Sequence, residues 1–332
     1  MSRRRSIWLL PAAVLAATAF AGAPALAQDD PEELVIGFVP SVEAGALVED
    51  IQPLADYLSE QLGIPVEGFV SSDYTALVTA METGQAQIAA LPPFGLVQAV
   101  DTAGAEMILQ SDRYGSTSYH TQFMTNDPDK YCMDEPVSNE RAEGEEMIAY
   151  LNCNGTARAF DEAPKGPIGI DALTNVEPGT TVSFVEPTSS SGYIFPATVF
   201  ATVAGLNPEN EGDLNAVFAG GHDASVIAVC EGQAEIGVSF DDARSDAVTD
   251  CDVANNVVVF AYGPEIPNDG VAVAGVSEEL KANIKQALLD FAATEDGAKV
   301  LDEIYNISKF GEPNQDSLQI IRDAAAELGY GS

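Results

Sequence analysis

Apolar positions along the chain alternate between short continuous runs and faces of helical period. Leu34-Val-Ile-Gly-Phe-Val39 is a run of strand type, followed by Leu47, Ile51, Leu54, Leu58 and Leu62, which share one face of a helix closed by Gly63. Ile64–Val70 reads as the next strand. Ser72 or Asp73 caps a helix from Tyr74 to about Thr83, Gly84 ends it, and Gln87–Leu91 is a third strand. Buried strands alternating with helices predict an α/β fold in which mainly parallel sheets carry helices on both faces.

From Asn126 to Pro178 the pattern fades into Pro-containing and acidic stretches, which predicts a long surface excursion. Order returns with a strand at Thr181–Val185, the loop Glu186-Pro-Thr-Ser-Ser-Ser-Gly192 and a helix from Tyr193 to about Ala204. A strand, a helix and a strand run on to Phe240, Val257–Phe260 is a further strand, and Leu280, Ile284, Leu288 and Leu289 mark a C-terminal helix. Tyr74–Leu91 also aligns with His222–Ser239, seven of eighteen positions being identical, including Gly-Gln-Ala after each helix. A period of 148 residues is about one lobe, so two similar α/β units are expected. Tyr74 and His222 then open equivalent helices, while Pro92-Pro93-Phe94 and Phe240-Asp241-Asp242 follow equivalent strands. Ligands of open α/β sheets bind beyond the carboxyl ends of the strands, so these residues converge on one cleft.

The N-terminus changes the picture of where the chain works. Arg3, Arg4 and Arg5 precede an apolar run to about Ala25, and Ala25-Leu26-Ala27 provides a signal-peptidase site, so residues 1–27 are expected to be a cleaved export signal. Either the general or the twin-arginine route fits Ser2-Arg3-Arg4. A soluble, periplasmic or otherwise extracytoplasmic protein should remain. The net charge of −38 argues against nucleic acid and anionic membranes as partners. In an exported protein, four cysteines suggest disulfides. Three connectivities are possible, and the local pairing Cys132–Cys153 and Cys230–Cys251 is the expectation. No CxxC spacing suggests a metal site.

The candidate chemistry is that of anion capture. Thr188-Ser189-Ser190-Ser191-Gly192-Tyr193 lies between a strand and a helix, where unpaired N–H groups and a partial positive charge favour an anion. An ordinary N-cap needs one hydroxyl, whereas here there are four in succession. His222 follows Gly220-Gly221 and offers a further donor, as does the phenol of Tyr74. Asp241 or Asp242 is placed to accept from a protonated ligand oxygen or an amine, with Glu186 as another carboxylate, although simple capping suits the aspartates equally. There is no Gly-x-Ser-x-Gly, Ser-x-x-Lys or His-Glu-x-x-His, and only two histidines, so neither an enzyme nor a cofactor is indicated.

Leu34–Pro40, Pro53-Leu-Ala-Asp-Tyr-Leu58, Leu62-Gly-Ile-Pro-Val66, Ser72-Asp-Tyr-Thr75, Thr188–Tyr193 and Gly220-Gly-His-Asp-Ala224 together resemble the phosphate/phosphite/phosphonate-binding proteins of ABC importers. The resemblance covers about residues 34–125 and 180–330. It implies a type II periplasmic-binding fold with two crossover strands, near Ser118–Met124 and Val257–Tyr262. Lobe 1 would comprise 28–122 with 262–332, and lobe 2 would be 123–261, carrying the excursion 126–178. It further implies a monomer that closes on a small phosphorus oxyanion and docks on a membrane permease, with Tyr74, Ser189, Ser190, Ser191, His222 and Asp241 or Asp242 lining the cleft. Another anion or a phosphorylated organic solute on the same fold is the alternative. Where relatives often carry Gly-Pro-Phe-Ser-Tyr, this chain has Pro92-Pro-Phe-Gly95.

Overall fold

The computed structural model describes residues 30–41, 44–113, 115–143, 146–157 and 166–330. The expected export signal, residues 1–27, lies outside them. Thirteen strands are formed: β1 (Leu34–Phe38), β2 (Val66–Val70), β3 (Ile88–Leu91), β4 (Glu106–Asp112), β5 (Ser118–Thr125), β6 (Val137–Glu143), β7 (Glu146–Asn152), β8 (Thr181–Phe184), β9 (Asn215–Phe218), β10 (Ile236–Phe240), β11 (Val258–Pro267), β12 (Gly270–Val273) and β13 (Lys309–Gly311). They divide between two sheets of order β13-β4-β12-β3-β1-β2 and β6-β7-β11-β5-β10-β8-β9. Each sheet has a parallel heart, β2-β1-β3 in the first and β10-β8-β9 in the second. Antiparallel strands from the returning chain extend both, through β12 on β3 and β4, and β5 between β10 and β11.

The first lobe forms because its strands are apolar on both sides. Leu34, Ile36 and Phe38 of β1 pack with Ile51, Leu54 and Leu58 of the helix Ala44–Leu62 and with Ile284 and Leu288 of the helix Glu278–Ala292. On the other face, Leu77 and Met81 of the helix Tyr74–Glu82 and Phe94 of the helix Pro93–Ala103 join a cluster that continues into the second lobe. Fully burying one such side chain is worth about 1.5–3 kcal/mol.

The internal repeat is structural. The helices Tyr74–Glu82 and His222–Cys230 start and stop in register, each leading into a strand whose first residue is isoleucine. Gly84 and Gly232 both sit at φ 73°, the left-handed geometry that favours glycine after a helix. The same bonds close both turns: Gln85 N–H to the Ala80 carbonyl and Gln233 N–H to the Ala228 carbonyl.

One part of the pattern came out differently. Val137–Glu143 and Glu146–Asn152, within the segment read as a surface excursion, pair as the hairpin β6–β7 and join the second sheet beside β11. β5 and β11, the strands assigned to the crossovers, pair along their length inside that sheet. They lead into the passages between the sheets, at residues 113 and 115–117 before β5 and at 268–269 after β11. Asn268 clasps these links, its Nδ2 donating to the carbonyls of Ser111 (3.0 Å) and Ser116 (2.8 Å). The C-terminal helix Ser317–Glu327 spans both lobes, by Arg322 to Asp101 at 2.6 Å and by its Ala324 carbonyl, which accepts from Thr198 Oγ1 at 3.2 Å. Among the described residues no helix is long and apolar enough to cross a membrane.

Both expected disulfides are present, Cys132–Cys153 with Cα atoms 5.2 Å apart and Cys230–Cys251 with Cα atoms 6.2 Å apart. The first ties the start of the hairpin segment to its end, and the second ties the helix His222–Cys230 to the segment before β11. Replacing Cys132 and Cys153 by serine is expected to lower the unfolding free energy by about 3 kcal/mol, the chain-entropy value for loops of this size. Urea unfolding of the oxidised proteins measures it; an unchanged midpoint would show that the bridge constrains nothing the fold does not already hold.

Candidate functional site

The hydroxyl loop leaves β8 and turns back on it. Ser189 caps the following helix, its Oγ accepting from Gly192 N–H at 3.1 Å. A Cβ on Gly192 would lie 2.4 Å from Val185, so only glycine lets the turn close this tightly. The helix opens in π geometry, Tyr193 and Ile194 both donating to the Ser189 carbonyl at 3.0 Å. Thr188, Ser189, Ser190 and Ser191 are all buried. Ser190 Oγ accepts from Phe94 N–H of the first lobe at 2.9 Å. The Ser191 carbonyl receives Thr121 Oγ1 at 3.0 Å, its hydroxyl bonds Tyr119, and Thr188 Oγ1 reaches Glu186 at 3.4 Å.

Tyr74 and His222 open their helices at the same cleft. Asp73 caps the first, accepting from Ala76 N–H at 2.7 Å, while Tyr74 N–H donates to the Glu186 carboxylate at 3.2 Å from the opposite lobe. His222 N–H donates to the Ser41 carbonyl at 3.0 Å, again across the lobes. Three helix starts (Tyr74, Phe94 and His222) thus each give an N–H to a group of the facing lobe. A helix start leaves such groups without an intrahelical partner, so the lobes meet donor against acceptor.

Burial keeps the imidazole and the phenol of this cleft uncharged. Burial, then the charge of Arg113, lowers the His222 pKa to about 3, so the imidazole is neutral at physiological pH. Its Nδ1 lies 2.8 Å from Ser239 Oγ and accepts from Phe240 N–H at 3.4 Å, which leaves the ring proton on Nε2. Burial, followed by Tyr305, Glu186, Asp269 and Tyr119, raises the Tyr74 phenol well above its usual value, so it remains a hydroxyl donor. Burial also raises Glu186, against the opposing bond from Tyr74 N–H.

Asp242 is engaged elsewhere. Its carboxylate holds Arg244 through Nη2 at 2.7 Å and Nε at 2.9 Å, and this guanidinium is fully buried beneath Tyr150 while bonding the Leu151 carbonyl and Asn152. The pair anchors β7 to the end of β10, within the second lobe. Such a pair is costly to bury unless its remaining hydrogen bonds are met, as they are here. Asp241, half-buried, precedes it through a cis peptide. The sequence reading missed Arg113, Tyr119, Asp269 and Tyr305. Arg113 Nη2 pairs with Asp269 at 2.5 Å, its Nε donates to the Tyr305 carbonyl at 3.0 Å, and its guanidinium carbon lies 5.6 Å from the Tyr119 ring centroid. Tyr305 Oη in turn donates to the Val39 carbonyl at 2.7 Å. Among the described residues no cluster of His, Cys, Asp and Glu is arranged to hold a metal ion.

The family model described as "ABC transporter, phosphonate, periplasmic substrate-binding protein" matches residues 36–318, most of the chain and all of this cleft. The chain belongs to that family. The members that the family model describes are periplasmic substrate-binding proteins of ABC transporters, which are not enzymes. It is 26% identical over 223 residues to the phosphate-import protein PhnD of Mycolicibacterium smegmatis, a match covering 65% of this chain but 57% of that protein's length. It is 20% identical to the phosphonates-binding periplasmic protein of Escherichia coli, over 85% of this chain and 72% of that one. Among solved structures, a binding-protein component of a Pseudomonas aeruginosa ABC phosphonate transporter superposes with a TM-score of 0.69 at 20% identity, covering 91% of this chain and 87% of that one. PhnD1 of Prochlorococcus marinus, in complex with methylphosphonate, gives 0.68 at 18% identity over 91% of this chain and all of that one. The two-lobed type II fold of the family is therefore shared.

The neutral His222 has a measurable signature. Because its folded pKa lies below the unfolded value near 6.5, the unfolded chain takes up the proton first as pH falls. The contribution is intact above about pH 6.5 and is lost toward pH 3, at about 1.4 kcal/mol per pH unit for one proton. His222→Gln is expected to flatten the acid limb of the stability curve by that slope. Parallel limbs for variant and wild type would place the ring in water.

Proposed function

We propose that this phosphonate-family protein works outside the cytoplasm, where its N-terminal signal directs it, and captures a small phosphorus oxyanion (phosphonate, phosphite or phosphate) between its lobes. The observation that carries the reading is the convergence of helix-start N–H groups and of the 188–191 hydroxyls on one buried cleft with a neutral imidazole. These are short donors that match the oxygens of a tetrahedral anion while adding no net charge. The mycobacterial relative is named for phosphate import, and the Prochlorococcus neighbour was solved with methylphosphonate. Both support the ligand class.

In this reading Tyr74, Ser189, Ser190, Ser191 and His222 bind the anion, with Thr188 setting the loop through Glu186. Asp241 or Asp242 accepts from a protonated ligand oxygen or an amine, Asp242 doing so while it also holds Arg244. The lobes turn about residues 115–117 and 268–269. A single copy of the chain, closed on its cargo, docks on a membrane ABC permease.

Calorimetry on the mature protein, stripped of endogenous ligand, against phosphate, phosphite, methylphosphonate, aminoethylphosphonate and sulfate tests the proposal. One phosphorus species is expected to bind at micromolar Kd or tighter, and Ser190→Ala to weaken it by about tenfold, the effect of one lost hydrogen bond. Silence across all five would sink the oxyanion reading and leave the cargo to be identified from what co-purifies.

A further inference from the structure

An anion-capturing cleft in a chain with a net charge of −38 has an electrostatic problem, because the long-range field opposes the ligand. Neutral hydroxyl and amide donors answer it for one negative charge more easily than for two. Arg113 alters that balance. It stands where the first link leaves β4, at the junction of the two lobes, and contacts three residues, Tyr119, Tyr305 and Asp269. Its guanidinium lies over Tyr119, whose hydroxyl bonds Ser191 of the hydroxyl loop. Its Nε grips the carbonyl of Tyr305, whose own hydroxyl bonds Ser41 and the Val39 carbonyl beside the start of the helix His222–Cys230. Asp269, from the second link, fixes its Nη2.

We propose that Arg113 is the charge-bearing specificity residue of the cleft, the group that favours a doubly charged phosphorus oxyanion over a singly charged one of the same shape. This rests on the oxyanion reading above. The two named bonds use two of the guanidinium's five N–H donors and hold it beside Tyr119 and Tyr305. In this proposal the pair forms the floor of the site: the Asp269 carboxylate orients the guanidinium and offsets part of its charge, and the Coulomb gain from the charge that remains is about twice as large for a dianion as for a monoanion. The groups that face Arg113 from the packed elements are Asp269, Tyr119, Tyr305 and His222. Burial holds both phenols above their usual pKa and His222 neutral, so none of these three titrates near neutrality. Arg113 itself stays charged: burial works against its charge, and Asp269, Tyr119 and Tyr305 together outweigh that cost. The second ionisation of the ligand is then the event that the floor senses.

The test is calorimetry of wild type, Arg113→Gln and Asp269→Asn with phosphate, methylphosphonate and methanesulfonate. The first two take their second negative charge near neutrality, whereas methanesulfonate stays a monoanion and reports any titration of the protein, including Glu186. In wild type the preference for the phosphorus ligand over methanesulfonate is expected to rise roughly ten- to hundredfold between about pH 6 and about pH 8.5. Arg113→Gln should lower the phosphorus affinity mainly at the alkaline end and flatten that rise. Asp269→Asn, which leaves the cation unopposed, should steepen it. A guanidinium that served only to staple the links would instead give a loss equal at every pH and equal for both ligand types, and that result would overturn the assignment. If Arg113→Gln does not fold, Asp269→Asn decides alone, an unchanged or shallower rise overturning it. Wild type binding neither phosphate nor methylphosphonate would overturn the oxyanion reading itself; binding with an unaltered pH profile in the variants overturns only the role of Arg113.

Discussion

A helix start carries N–H groups that have no partner within the helix, and leaving them buried and unpaired costs about 1–3 kcal/mol each. Much of this molecule follows from that constraint. Three helices begin at the same cleft, two from the first lobe and one from the second, and each start must find an acceptor. In the closed arrangement they find it in the facing lobe: Glu186 for Tyr74, Ser190 for Phe94 and the Ser41 carbonyl for His222. The hydroxyl loop is the counterpart of these starts. Its tight turn, made possible by Gly192, brings Ser190 and Ser191 to where Phe94 and Tyr119 stand.

The same constraint explains why the cleft is chemically quiet. A buried imidazole with its Nδ1 occupied, phenols held as hydroxyls, and serines bonded to backbone amides (Ser189, Ser190) or to a phenol (Ser191) form a set of fixed dipoles. Ordered dipoles cost little reorganisation when an anion replaces their present partners. The strongly charged groups near the cleft are paired, Arg113 with Asp269 and Arg244 with Asp242. Their pairs do different work. Arg244 welds the hairpin β6–β7 to the second lobe, whereas Arg113 stands at the junction through which both lobes communicate.

The sequence made the alternating fold, the two-copy organisation, the disulfide pairs and the hydroxyl loop legible, because each is written in neighbouring residues. Gly-Gln-Ala recurs after each helix and fixes equivalent turns at Gly84 and Gly232. The hairpin β6–β7 was hidden because Ser138-Asn-Glu-Arg141 reads as a polar, acidic loop; on an edge strand one face meets solvent and carries no apolar signal. Arg113, Asp269 and Tyr305 were invisible for another reason. Each is a lone residue in an undistinguished stretch, and only the return of the chain through β12 and the helix Glu295–Tyr305 brings them together. Asp242 did carry a local hint, Arg244 two residues later, a spacing that lets one carboxylate take a neighbouring guanidinium out of solvent.

The duplicated helix–turn–strand unit has one more consequence. A cleft built from two identical copies would be related to itself by a two-fold axis and would present the same wall to either end of its guest. Here the equivalent positions hold different side chains, a phenol at Tyr74 and an imidazole at His222, and only one half carries the run of serines. The difference between the two units breaks the two-fold equivalence of the walls. A cavity lined this way has a sense of direction, so that its two ends are chemically distinct.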